Sequence, residues 1–316
     1  MRKITVQKND ANQTLIKFLD KYFENAPKSL IAKFLRKKRI KVNGKKQEPA
    51  YRLSEGDIID IYIYDETIEK WQSSAKKRKV HNKINIPIAF ENEDVIIVDK
   101  PTNMLSHAAS PADYGHNVVD FIISYLIGKK EYIPRLEHTF TPAIVNRLDR
   151  NTSGLIIGAK NRESLVNLNE LIDTELVEKY YLAIVEGSYQ GQDTINNYLT
   201  KTDENLVYVG KGQGAKESIT HIKALKTGRK YSLLELQLVT GRTHQIRATL
   251  KSLGYPIVGD PKYGNKKPAN WIKNQQLIAY KLFFSKQIAV KSIQGLEVIS
   301  HYEQDIVDNF NRLEEL

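Results

Sequence analysis

Asn146-Arg147-Leu148-Asp149-Arg150-Asn151-Thr152-Ser153-Gly154-Leu155-Ile156-Ile157 sets one carboxylate between two guanidiniums, ahead of a small polar turn and an apolar run. Leu155 to Ile157 reads as a buried strand, with Thr152, Ser153 and Gly154 as the turn leading into it. Arg147 and Arg150 favour a charged carboxylate at Asp149, a nucleophile or base rather than a proton donor. A surface turn with an Asp–Arg ion pair fits the same residues, and the remainder of the chain decides between the two.

Upstream, Asp94-Val95-Ile96-Ile97-Val98-Asp99 reads as another buried strand, ended by Lys100-Pro101, where proline removes a ladder donor. Val118 to Ile127 has helical spacing with Gly128 as its stop, and Arg162 to Leu176 is amphipathic through Leu165, Leu168, Leu171, Ile172 and Leu176. Lys179 to Val185 is a predicted strand whose period of two sets Tyr181, Ala183 and Val185 on one face. Asn205 to Gly214 is glycine-rich but lacks the Lys-Ser of a phosphate loop, and is expected to form a hairpin. Ile219 to Leu225 and Tyr231 to Val239 are expected to pair antiparallel. A helix starting near Thr243 turns Ile246, Leu250 and Leu253 inward and stops at Gly254. A strand from Ile278 to Phe284 and a helix around Asp305 to Leu313 follow. Strands outnumber helices and hairpins join most of them, so the class is α+β with a mostly antiparallel mixed sheet and flanking helices.

The N-terminal part is built differently. After a short alternating strand, Gln13 to Phe23 and Lys28 to about Lys37 have helical spacing. Arg39-Ile40-Lys41-Val42 then meets Asn43-Gly44, a strong hairpin signal, and Leu53-Ser54-Glu55-Gly56-Asp57 forms a second turn before the strand Ile58 to Tyr64. From Lys28 to Lys46 there are nine Lys or Arg and no acidic residue. Lys33, Arg36, Lys37, Lys38, Arg39, Lys41 and Lys45 therefore present a single-sign face, which grips a phosphate backbone by charge and reads little sequence. Ser73, Ser74 and the run Lys76-Lys77-Arg78-Lys79 read as a tethering linker.

The 316 residues, 41% hydrophobic and 27% charged, suit a globular protein of about two domains. No apolar run approaches the roughly 18 residues of a membrane span, and Met1-Arg2-Lys3 does not lead into a signal segment. A cytoplasmic protein is expected. The absence of cysteine excludes disulfides, thiolate metal sites and Cys nucleophiles, and the 7 His show no ligand spacing, so no metal is expected. A net charge of +11 favours a polyanionic partner, RNA or DNA rather than a membrane.

Residues Pro27 to Gly56 resemble an S4 RNA-binding domain. Lys100-Pro101-Thr102-Asn103-Met104 to His107, Arg147-Leu148-Asp149-Arg150 with Thr152-Ser153-Gly154-Leu155, Lys179-Tyr180-Tyr181-Leu182-Ala183, Thr240-Gly241-Arg242-Thr243-His244-Gln245-Ile246-Arg247, and Gly259-Asp260 with Tyr263-Gly264 occur in the order of the RluA-type pseudouridine synthases. The resemblance covers nearly the whole chain and is greatest to the branch acting on large-subunit ribosomal RNA. It implies an S4 domain at 1–67, a basic linker at 68–85 and a catalytic domain at 86–316, in a chain taken to be a monomer.

The same resemblance implies that Asp149 acts at the ribose C1′, or at uracil C6, to free the base from the sugar, in a rearrangement that takes no external reactant and so needs no cofactor. Arg247 would pair with Asp149. Tyr181 would stack on the extruded uracil and could take its C5 proton as a base, with Ile246 on the other side of the ring. Arg147 would fill the space left by the flipped nucleotide, and Arg150 and Arg242 would hold phosphates. Asn146, Asn151, Asn103 and Ile278 depart from the usual family residues. Two alternatives stay open: a catalytically silent RNA-binding assembly factor, and a synthase acting on transfer RNA. A glycosidase would need a paired carboxylate, for which Asp260 is the candidate, although its Gly-Asp-Pro turn reads as structural.

Overall fold

The computed structural model describes residues 1–72, 84–134, 136, 138–202, 206–265 and 269–315. The basic run at 76–79 lies outside them. The chain divides into two compact units, one of residues 1–83, 122–143 and 160–163 and the other of the remainder.

In the first unit, β1 (Arg2–Thr5), α1 (Leu15–Tyr22), α2 (Lys28–Arg36), β2 (Ile40–Val42), β3 (Ile58–Ile61) and α3 (Asp65–Trp71) follow one another, and the sheet order is β1-β3-β2. Thr14 caps α1 by accepting the Lys17 N–H, and Leu15, Phe18 and Leu19 on its inner stripe are buried. Their packing with Ile31, Leu35, Ile40, Ile59 and Ile61 forms one core, and each such side chain contributes about 1.5–3 kcal/mol. The Asn43-Gly44 turn has both φ angles positive, 51° and 72°, as a two-residue hairpin turn requires. Its return is a single bridge, Val42 to Lys45, because β2 takes its ladder partner from β3. Linker was expected from residue 68, but the chain is still helical there. Ile68 is buried, and Trp71 packs edge-on against Phe23 at 5.6 Å, which the polar residues after it conceal in the sequence. The later segments join this unit through Asp10, which accepts from the Thr139 N–H at 2.8 Å and hydroxyl at 2.6 Å.

The second unit contains β4 (Ile88–Glu91), β5 (Val95–Lys100), β6 (Ala143–Ile144), β7 (Ser153–Ala159), β8 (Val177–Glu186), β9 (Gln192–Lys201), β10 (Val207–Val209), β11 (Lys216–Thr227), β12 (Tyr231–Leu238), β13 (Leu277–Phe284) and β14 (Glu297–Ile299), some shared at their edges with the first. Its helices are α4 (Val118–Gly128) and α5 (Arg162–Asp173), each begun or ended in the first unit, α6 (Gln245–Ser252) and α7 (Glu303–Glu314). The main sheet runs β10-β9-β11-β12-β8-β13-β7-β5-β4, with β14 on β13 and β6 on β7. Its described pairs are antiparallel except β7 with β13. Of the hairpin expected at Asn205 to Gly214, β10 forms the returning arm, antiparallel to β9 with Val207 opposite Lys201, while the glycines after it carry the connection to β11 on the other side of β9.

One row across three strands positions the site. Tyr181 on β8 lies opposite Ala279 on β13, which lies opposite Gly154 on β7. At about 4.8 Å per strand, the start of β7 is held roughly two strand spacings from Tyr181. Gly154 belongs to the strand rather than to a turn, at φ 116°, and a Cβ there would meet the Ala279 carbonyl oxygen at 2.2 Å. Only glycine permits that approach.

Candidate active site

Asp149 sits just before β7, on a segment tied down along its length. Ser106 Oγ donates to the Leu148 carbonyl (2.8 Å) and accepts from its N–H (3.0 Å). The Asn146 amide accepts from the Ile157 N–H at 2.8 Å and donates to the Leu155 carbonyl at 3.2 Å, clipping the approach to the strand. The Thr152 N–H closes a turn onto the Asp149 carbonyl. Beneath lies Lys100, 0% exposed, whose Nζ donates to the carbonyls of Pro101 (3.0 Å), Met104 (2.9 Å) and Arg150 (3.1 Å). Burial pushes its ammonium down to about 7, against the pull of Asp149. Three carbonyls match the three N–H bonds of an ammonium and exceed the two of an amine, so the geometry favours the charged form. Asn103 in the same turn adopts φ 61°, the conformation that asparagine tolerates.

Arg247 comes from the first turn of α6, whose start is organised by Gln245. The Gln245 Oε1 accepts from the Arg242 N–H and Thr240 hydroxyl, and its Nε2 donates to the Ile219 carbonyl and Thr220 hydroxyl, all within 2.9–3.0 Å. Arg247 Nη1 donates to Asp149 Oδ2 at 2.6 Å, while Nε and Nη2 grip the two Asp260 oxygens at 2.7 and 2.8 Å. Asp260 also accepts the backbone N–H groups of Lys262 and Tyr263. Burial works to raise the Asp260 carboxyl, and the hydrogen bonds and charge of Arg247, with those backbone donors, hold it below the usual range. The Tyr263 ring lies 5.0 Å from the Arg247 guanidinium carbon, and its hydroxyl meets His244 Nδ1 at 2.9 Å. His244 Nε2 stands 3.7 Å from Asp149 Oδ2.

A cleft of about 720 Å³ brings together Asp149, Tyr181, Ile246, Arg247, Arg147, Arg150 and Arg242. Tyr181 is 8% exposed, and burial, then the charge of Asp149, pushes its phenol up. Asp149 takes its ion pair from Arg247 rather than from its sequence neighbours. Arg147 is exposed, Arg150 lies 3.8 Å from Asp113, and Arg242 is exposed with Nε on the Glu217 carbonyl. The turn at Asp149 leaves Arg147 and Arg150 exposed. Lys33, Arg36, Lys37, Lys38, Arg39 and Lys45 are exposed in the first unit, and Lys41 packs over the Tyr62 ring.

Sequence reasoning did not foresee Lys100 as the hub under the Asp149 segment, Asp260 as the second carboxylate on Arg247, or His244 and Tyr263 beside them. Their motifs were visible, but not which groups would meet. Among the described residues, no group of three or more His, Cys, Asp or Glu could hold a metal ion, and no helix is long and apolar enough to cross a membrane.

A family model described as RNA pseudouridylate synthase matches residues 94–252, and an S4 domain model matches 13–59. An uncharacterized RNA pseudouridine synthase of Mycoplasma capricolum is 35% identical, covering 90% of this chain and 92% of its own. Ribosomal large subunit pseudouridine synthase C of Buchnera aphidicola is also 35% identical, covering 90% of this chain and 88% of its own. Human RNA pseudouridylate synthase domain containing 4 is similar in fold, with TM-score 0.56, 19% identity, and coverage of 72% of this chain and 92% of its own. The chain therefore belongs to the RluA-type RNA pseudouridylate synthases and carries an S4 domain ahead of the synthase fold.

Proposed function

We propose that the chain isomerises uridine to pseudouridine in large-subunit ribosomal RNA, with Asp149 as the catalytic carboxylate. The supporting observation is the charge of the cleft: Asp149 is the one carboxylate among its described lining residues, facing Arg147, Arg150, Lys179, Arg242, Arg247 and Lys262. Such a cleft attracts a polyanion and offers it a single nucleophile. A glycosidase reading loses support, because Asp260 is closed off by Arg247 and backbone donors and does not line the cleft.

In this reading the target nucleotide flips into the cleft, at a cost of a few kcal/mol of unstacking. Asp149 acts to free uracil from C1′, Tyr181 and Ile246 hold the ring between them, and the base turns and rejoins through C5. Tyr181, stacked against the ring, is the general base proposed for the C5 proton. Arg247 orients Asp149, Arg147 occupies the vacated stack, and Arg150 and Arg242 meet phosphates. Residues 1–67, through Lys33, Arg36, Lys37, Lys38, Arg39, Lys41 and Lys45, grip structured RNA, and residues 86–316 carry the reaction. In this reading the protein acts as a monomer in the cytoplasm, where ribosomes are assembled.

The test is tritium release from RNA labelled at uracil C5, prepared from a strain lacking the gene, with wild type against Asp149→Asn. Release by wild type alone is expected, concentrated in the large ribosomal RNA. Salt-sensitive RNA binding without release by either protein would instead favour an assembly factor, and release from transfer RNA alone would move the substrate.

A further inference from the structure

His244 has no role in the reaction as described, yet its surroundings are specialised. It is the residue before α6 and adopts φ 53°, in the left-handed region. Histidine visits that region more readily than most residues, but holding it there costs free energy unless other contacts compensate. The contact that holds it is Tyr263, whose hydroxyl meets Nδ1 at 2.9 Å.

A count of donors assigns the proton. The Tyr263 oxygen already accepts the Val207 N–H at 2.8 Å, and burial pushes its phenol up, so it keeps its own proton and must place it on an acceptor. His244 Nδ1 is the acceptor within reach among the described residues. Nδ1 therefore receives, and the neutral imidazole carries its hydrogen on Nε2. The groups facing the ring are Asp149, Asp260, Arg247 and Lys262; burial leads in pushing His244 down, aided by the two cations and opposed by the two carboxylates. The neutral ring is thus the resting form. Its Nε2–H faces the cleft 3.7 Å from Asp149 Oδ2, beyond hydrogen-bond range, and has no hydrogen-bond partner among the described residues.

We propose that His244 is a further catalytic residue, donating its Nε2–H to the uracil O2 carbonyl as the N1–C1′ bond breaks. The electron pair of that bond moves onto the base and is shared between N1 and the carbonyl oxygens. A fixed donor beside the carboxylate stabilises this charge without transferring its proton. When C5 bonds to C1′, a ring electron pair forms the new bond as C1′ releases Asp149; the C5–H pair then stays with the ring while its proton passes to the base, and N1 takes up a proton from solvent. The inference rests on Asp149 acting at the ribose in this cleft.

The experiment measures single-turnover tritium release from the same C5-labelled RNA, together with RNA affinity by filter retention, for wild type, His244→Phe and His244→Gln. Loss of a donor to developing charge typically costs about 10²–10³-fold. His244→Phe is expected to slow turnover about 10²-fold with unchanged RNA affinity, and His244→Gln, which returns an N–H at that reach, to recover roughly tenfold of the loss. A His244→Phe rate equal to wild type, or a loss of affinity alone, overturns the role of His244 and leaves the function standing. Wild type without release overturns both. Should His244→Phe not fold, nitrogen-15 NMR of the wild-type imidazole decides: the Nε2–H tautomer is expected, and the Nδ1–H tautomer overturns the assignment.

Discussion

Arg247 is held by Asp260 at two points, 2.7 and 2.8 Å, and so presents its remaining nitrogen, Nη1, to Asp149. The Asp260 side chain is fully buried and that of Arg247 nearly so, which makes Asp260 the anchor and Asp149 the group that is oriented. Removing one partner of such a buried pair leaves an uncompensated charge and costs about 3–5 kcal/mol. Asp260→Ala is therefore expected to lower the urea midpoint strongly and to slow turnover, although Asp260 does not line the cleft. Equilibrium unfolding and single-turnover rates check both.

The same clamp has a pH signature. The folded Asp260 carboxyl lies below its ordinary value of 3.8, so the clamp contributes fully above that pH and is lost as pH falls through the lower folded value. Wild type and Asp260→Asn, unfolded in urea across pH 6 to about 2.5, should keep a constant gap down to roughly pH 4 and converge below it. A gap that closes between pH 6 and about 5 would assign the effect to another group.

Gly154→Ala should be among the most damaging single changes in the chain. The new methyl would strike the Ala279 backbone in the parallel β7–β13 pair, at a φ of 116° that L-residues avoid. Overpacking and backbone strain, each about 1–3 kcal/mol, add to an expected loss of about 2–6 kcal/mol. Because the clash forces apart the row linking Tyr181 to the Asp149 segment, residual folded protein should also turn over slowly. Ser153→Ala, one residue away, serves as the comparison.

Replacing Lys33, Lys37 and Arg39 together by Gln should weaken RNA binding and flatten its salt dependence, by about 0.7–0.9 in log–log slope for each phosphate no longer neutralised. All three are exposed on or just after α2. The rate with saturating RNA should be unchanged. Binding isotherms at several salt concentrations, with turnover on the same RNA, separate the two effects.

Local elements of this protein follow directly from its sequence. The apolar stripes of Gln13 to Phe23 and Lys28 to about Lys37, and Asn43-Gly44, act through neighbours a few residues away, so helices and turn lie where the residues indicate. β7, β8 and β13 were legible for the same reason, and the ordered motifs pointed to the family. What the chain alone could not decide is which groups meet. Arg150 is adjacent to Asp149 in sequence, yet its guanidinium lies by Asp113, while Arg247, Asp260, His244 and Tyr263 converge from far along the chain. Lys100 shows the same limit: beside Pro101 it reads as a strand end, and only the folded chain sets three carbonyls around its ammonium. Caps, turns and periodicity are properties of neighbouring residues; ion pairs, tautomers and the burial of one lysine depend on strand register and helix placement, which arise only when distant segments pack.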